Sequence, residues 1–84
     1  MNYKKELEKF FLTNNIRTYT IEYYPKIFGN LVVKFQYNGV EHCLITDRDE
    51  ISLDGETVYL PNYHGYEIET IELVKKEINK IISK

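Results

Sequence analysis

A chain of 84 residues, 43% hydrophobic and 29% charged with a net charge of −2, has the balance of one small globular domain rather than a disordered segment. Its single cysteine excludes an internal disulfide and fits a reducing compartment, and no apolar run approaches the ~20 residues that cross a bilayer. The first residues lead into a charged helix rather than a signal peptide, so we expect a soluble cytoplasmic protein with residues 1–84 as a single domain.

Residues 2–14 carry Tyr3, Leu7, Phe10, Phe11 and Asn14 on one side at helical spacing, with Lys4, Lys5, Glu8 and Lys9 elsewhere. Asn2 is the expected N-cap, and Asn14-Asn15 the expected stop, because asparagine tolerates the left-handed conformation. Arg17 to Tyr24 then alternates as a strand, with Tyr19, Ile21 and Tyr23 on one face, and Pro25 ends it. Lys26 to Asn30, with Gly29, turns the chain.

Leu31 to Thr46 holds the strongest local signal. Two alternating runs flank Asn38-Gly39, and a two-residue type I′ turn needs positive φ at both central positions. That turn sets a register in which Tyr37 faces Val40, Phe35 faces His42 and Val33 faces Leu44. One face of this hairpin carries nearly all the bulk and must be covered.

Asp47 to Glu50 reads as a charged link. Ile51 to Leu60 reads as a second hairpin around Asp54-Gly55, with Ile51, Leu53, Val58 and Leu60 on its apolar face. A loop from Pro61 to Tyr66 follows. The last helix starts near Glu67 or Ile68 and places Ile71, Val74, Ile78, Ile81 and Ile82 on one stripe. The pattern predicts an α+β two-layer domain: an antiparallel meander of 3–5 strands with the N- and C-terminal helices on one face, in the order α-β-β-β-(β-β)-α.

No catalytic or ligand motif accompanies these elements. His42 and Cys43 are strand neighbours and point to opposite faces, so they cannot act as base and nucleophile. His42, His64, Cys43 and the scattered carboxylates lack metal-ligand spacing. Asp47, Asp49 and Asp54 fail as a calcium loop, because Ile51 and Ser52 stand where an oxygen ligand and a glycine are needed. The four glycines are isolated and build no phosphate cradle. We therefore expect no enzymatic activity, no cofactor and no metal.

The helix–three-strand–helix order resembles the double-stranded RNA-binding domain. That family places a lysine cluster on phosphates at the start of its second helix, where this chain has Glu67, Glu69 and Glu72. The resemblance covers topology alone, the second hairpin is extra, and the reversed charge disfavours direct binding of nucleic acid.

Charge is distributed unevenly along the chain. Residues 1–40 hold six bases and three acids, and residues 73–84 hold four bases and one acid. Residues 41–72 hold nine acids, Glu41, Asp47, Asp49, Glu50, Asp54, Glu56, Glu67, Glu69 and Glu72, against Arg48 alone, a local charge of −8. These carboxylates either decorate turns and a helix start or, if those elements share a sheet edge, form one stripe that imitates a phosphate backbone. Such a stripe would speed association with a basic partner and weaken with salt.

Tyrosine is the second feature. Of eight, Tyr24, Tyr59, Tyr63 and Tyr66 fall on the outer face or in loops, and Tyr63 and Tyr66 flank His64 just before the acidic helix start. Tyrosine buries a large area and keeps a polar handle, which suits an interface. Ile, Lys, Asn and Tyr, all written with A/T-rich codons, supply 34 of the 84 residues. Small size, A/T-rich coding and an acidic surface together are similar, as a class, to phage-encoded inhibitors of host nucleases, anti-CRISPR proteins among them.

The expected function is thus a non-enzymatic inhibitor or adaptor. Its acidic residues, with Tyr63 and Tyr66, would dock on the basic, nucleic-acid-binding surface of a partner protein, with a nuclease complex as the most concrete partner. One alternative is a homo-oligomeric module, pairing through a sheet edge with the outer-face patch Val32, Cys43 and Ile45. Another is a small-ligand binder or enzyme using His42 or His64, for which a pocket beside either histidine would be required. No membrane association is expected.

Overall fold

The computed structural model describes residues 3–24, 26, 30–59 and 67–83, with Glu67 and Ile68 described by backbone alone. The chain runs α1 (Tyr3–Thr13), β1 (Tyr19–Tyr24), β2 (Asn30–Tyr37), β3 (Val40–Asp47), β4 (Glu50–Leu53), β5 (Glu56–Tyr59) and α2 (Glu67–Ile82). All five strands pair antiparallel with their sequence neighbours in the order β1-β2-β3-β4-β5. This is the α+β meander that the alternation predicts, with all five strands in one sheet. Asn2, Pro25, Gly29, Leu60 and the loop expected over Pro61–Tyr66 lie outside the described residues.

The central hairpin has the expected register, with Tyr37 opposite Val40, Phe35 opposite His42 and Val33 opposite Leu44. Asn38 and Gly39 have φ of 52° and 77°, and Asp54 and Gly55 have φ of 52° and 87°, so both turns meet the positive-φ requirement of the type I′ loop. The charged link at Asp47–Glu50 is a third tight turn. Asp47 pairs with Glu50, leaving Arg48 and Asp49 as a two-residue loop with Arg48 at φ 52°. Arginine carries no sequence signature for that conformation, which ordinarily favours Gly, Asn or Asp.

α1 ends where Asn15 adopts φ 59°. The amide of Asn15 donates to the carbonyl of Leu12, and that of Ile16 to the carbonyl of Phe11 at 2.8 Å. These paired bonds form a Schellman cap, which satisfies two carbonyls at the helix end and brings Ile16 into the core beside Phe11.

Both helices contribute to a single apolar core on one face of the sheet. Tyr3, Leu7 and Phe11 of α1 and Ile71, Val74 and Ile78 of α2 are buried with Leu31, Val33, Phe35, Leu44 and Ile51. The ring of Phe11 lies 4.9 Å from that of Tyr19 and 5.5 Å from that of Phe35, while Tyr3 meets Tyr23 at 4.7 Å. Aromatic pairs at these separations add stabilisation beyond area burial. Thr46 is the buried polar residue of the strand face, and its Oγ1 accepts a 2.9 Å bond from the Leu31 amide.

The second hairpin departs from expectation in its coverage. Ile51 is buried and Leu53 half-buried, but Val58 is 42% exposed and every residue of β5 is exposed. Alternation fixes the face on which Val58 points, and the register confirms it opposite Ile51. Coverage is a separate matter, and neither helix extends over β5.

Candidate functional site

A meander places its turns alternately at the two ends of the sheet, and this divides the acidic residues. Glu41, Asp54 and Glu56 lie toward the end that carries the Asn38-Gly39 and Asp54-Gly55 turns. Asp47, Asp49 and Glu50 lie at the opposite end, around the Arg48 loop. The C-terminus of α2 sits at the first of these ends, where the Tyr37 hydroxyl donates to the Ile82 carbonyl at 3.3 Å. A helix of 16 residues is about 24 Å long, so Glu69 and Glu72 in its opening turns are held well away from Glu41 and Glu56. Glu72 is exposed and Glu69 half-buried. Tyr63, His64 and Tyr66 lie outside the described residues, as does the side chain of Glu67.

Strand parity divides the carboxylates again, by face. Glu41, Asp47 and Glu50 stand on the face away from the helices, whereas Glu56, opposite Leu53, stands on the helix side. Among the described residues nothing covers that first face. Tyr24, Ile45 and Tyr59 are exposed large side chains there, Tyr59 at 62%, and Val32 and Cys43 are half-buried between them. Val32 is paired with Glu22 on one side and Ile45 on the other, and Glu50 with Tyr59, so apolar and acidic side chains sit side by side. The Tyr24 hydroxyl donates to the Glu22 carboxylate on the same face. That bond, with a little burial and the Glu22 charge, raises the Tyr24 pKa above its ordinary value.

Asp54 is engaged within the fold. Its Oδ2 lies 2.7 Å from His42 Nδ1, its Oδ1 accepts from the Cys43 amide at 2.8 Å, and its own amide donates to the Cys43 carbonyl at 2.8 Å. Partial burial opposes the charged form of Asp54, but the bonds from His42 and the Cys43 amide, with the His42 charge, outweigh it and lower its pKa. The His42 ring stacks on Phe35 with centroids 5.2 Å apart. An ionised carboxylate only accepts, so the Nδ1 facing it carries the proton and Nε2 is left to other partners.

His42 and Asp54 line a groove of about 400 Å³ beside Leu53, Glu56 and Val58 of the second hairpin and Glu77, Lys80 and Ile81 of α2. Neither the His42–Asp54 pair nor this groove is evident from local sequence patterns, which place His42 at the edge of the core and Asp54 in a turn. Cys43 stands on the other face of the strand, so the expected separation of His42 from the thiol holds. Among the described residues no three His, Cys, Asp or Glu side chains gather as a metal site, and no helix is long and apolar enough to cross a membrane.

No family model matches the chain, and no curated protein or solved structure proved significantly similar to it.

Proposed function

We propose that this chain is a small non-enzymatic binding protein that docks on a basic protein surface through the bare face of its sheet. The observation that carries this reading is the mixed character of that face. Exposed Tyr24, Ile45 and Tyr59 lie among Glu22, Asp47 and Glu50, while both helices occupy the other side. Large side chains give an interface its buried area, and tyrosine in particular suits a contact that is apolar at one end and wet at the other. The carboxylates supply steering toward a positive partner and discrimination against negative ones. Asp49 extends the acidic end beside Asp47 and Glu50. Occupation of the nucleic-acid groove of a nuclease complex in the cytoplasm, in the manner of an anti-CRISPR inhibitor from phage, is the most concrete form of this function.

The test is affinity capture from an A/T-rich bacterial lysate at low and high salt, followed by competition with nucleic acid. A basic nucleic-acid-binding protein should elute as salt rises, and the charge-reversed variant Asp47→Lys/Glu50→Lys should fail to retain it while folding normally. Equal retention by the variant would overturn the reading. A second reading, self-association through a sheet edge, is favoured by β5, an edge strand whose four residues are all exposed. Sedimentation at micromolar concentration separates the two, since only the second requires a dimer.

A further inference from the structure

We propose that the groove between the second hairpin and the C-terminal half of α2 binds the side chain of an arginine presented by a peptide or protein. It lies on the helix side of the sheet, away from the bare face, and stands independently of the docking surface proposed above. The groove exists because β5 runs beyond the cover of α2, which leaves Val58 on the core-facing side of the sheet yet 42% exposed. Its volume of about 400 Å³ falls within the range of formed ligand sites.

The lining selects the chemistry. Leu53, Val58 and Ile81 offer apolar walls suited to the methylene stem of a long side chain. Asp54, Glu56 and Glu77 bring three carboxylates against the single ammonium of Lys80, so the groove favours a cation and resists an anion. Two of those carboxylates are committed, Asp54 to His42 and the Cys43 amide, and Glu77 to Lys80. The Glu56 side chain makes no hydrogen bond or ion pair among the described residues. With Nδ1 of His42 turned to Asp54, Glu56 is the carboxylate of the groove left to meet a ligand. A guanidinium, with five donors in a planar fork, suits the Glu56 carboxylate bidentately, whereas an uncharged side chain would use the walls alone.

The probe is Nα-acetyl-arginine N-methylamide, titrated into the intact chain and followed by the His42 ring and the Val58 and Ile81 methyl resonances. Its norleucine counterpart is the apolar control. The arginine compound should shift all three residues saturably, the norleucine compound should bind at least about fivefold more weakly, and Glu56→Gln should weaken the arginine compound by about fivefold. Glu56 is exposed, so this variant should keep the fold, checked by the unchanged amide spectrum of the β2–β3 hairpin. Equal binding of the two compounds, an unaffected Glu56→Gln variant, or shifts confined to residues outside the groove would each overturn the proposal.

Discussion

His42 and Asp54 stand twelve positions apart in the chain and 2.7 Å apart in space, joined across the β3–β4 pairing. Asp54 has left-handed φ as the first residue of its turn, and there its side chain takes over part of the strand ladder. The Asp54 amide donates to the Cys43 carbonyl, but the Cys43 amide is met by Asp54 Oδ1. The second carboxylate oxygen then fixes the His42 ring against Phe35. One residue therefore closes a turn, completes a ladder and orients a histidine at the groove.

The first prediction concerns that carboxylate. A pKa lowered on folding contributes stability that is present above the unfolded value of 3.8 and is lost as pH falls through the folded value. Stability should therefore decline below about pH 4, and Asp54→Asn should reduce the drop. Asparagine tolerates the left-handed turn, so the variant isolates charge from backbone strain. Because Asp54 is 43% exposed, solvent screening limits the loss at pH 7 to about 0.5–1.5 kcal/mol, measured by urea denaturation.

Much of this architecture is written locally. Asn38-Gly39 and Asp54-Gly55 state their turns in residue chemistry, and period-two alternation fixes the face of every flanking side chain. Arg48-Asp49 states nothing comparable, and reading it as a link loses the β3–β4 register. That register, Leu44 opposite Leu53, is what carries Asp54 to Cys43 and His42. The groove is hidden for a different reason. Alternation says that Val58 faces the helix side but cannot say where α2 stops covering the sheet. The division of the carboxylates between two ends likewise follows from the meander as a whole rather than from any stretch of sequence.

The two glycine turns should respond alike to a methyl group. A Cβ at Gly39 or Gly55 would meet nothing within 4 Å, so no clash contributes. Their φ of 77° and 87° are strained for alanine, and Gly39→Ala and Gly55→Ala should each cost about 1–2 kcal/mol of conformational energy. Chemical denaturation of the two variants measures it. A cost near zero at either site would mean that the turn relaxes to another type.

In α1, neighbouring positions should behave oppositely. Phe11 is fully buried and touches the rings of Tyr19 and Phe35, whereas Leu12 is 61% exposed. Phe11→Ala should cost about 3–5 kcal/mol, a large share of the roughly 4–12 kcal/mol available to a chain this size. Leu12→Ala should stay within about 0.5 kcal/mol. Thermal melting of both variants decides whether the stripe or mere hydrophobicity sets the cost.

The last prediction sets hydrophobicity against hydrogen bonding at one buried position. Thr46 is 3% exposed in the core face, and valine has almost its shape with a methyl in place of the hydroxyl. If burial of apolar surface alone mattered, Thr46→Val would stabilise the domain. The Thr46 Oγ1, however, accepts from the Leu31 amide at 2.9 Å, and Leu31 is itself fully buried. Removing that acceptor leaves a donor without this partner in a dry interior, a penalty of about 1–3 kcal/mol that exceeds the gain from one methyl, about 0.8 kcal/mol. Thr46→Val should therefore destabilise, and Thr46→Ser, which keeps the acceptor, should lose only the methyl contribution. Faster hydrogen exchange at the Leu31 amide in Thr46→Val, but not in Thr46→Ser, would locate the effect at this bond. A more stable valine variant would show that the contact contributes nothing.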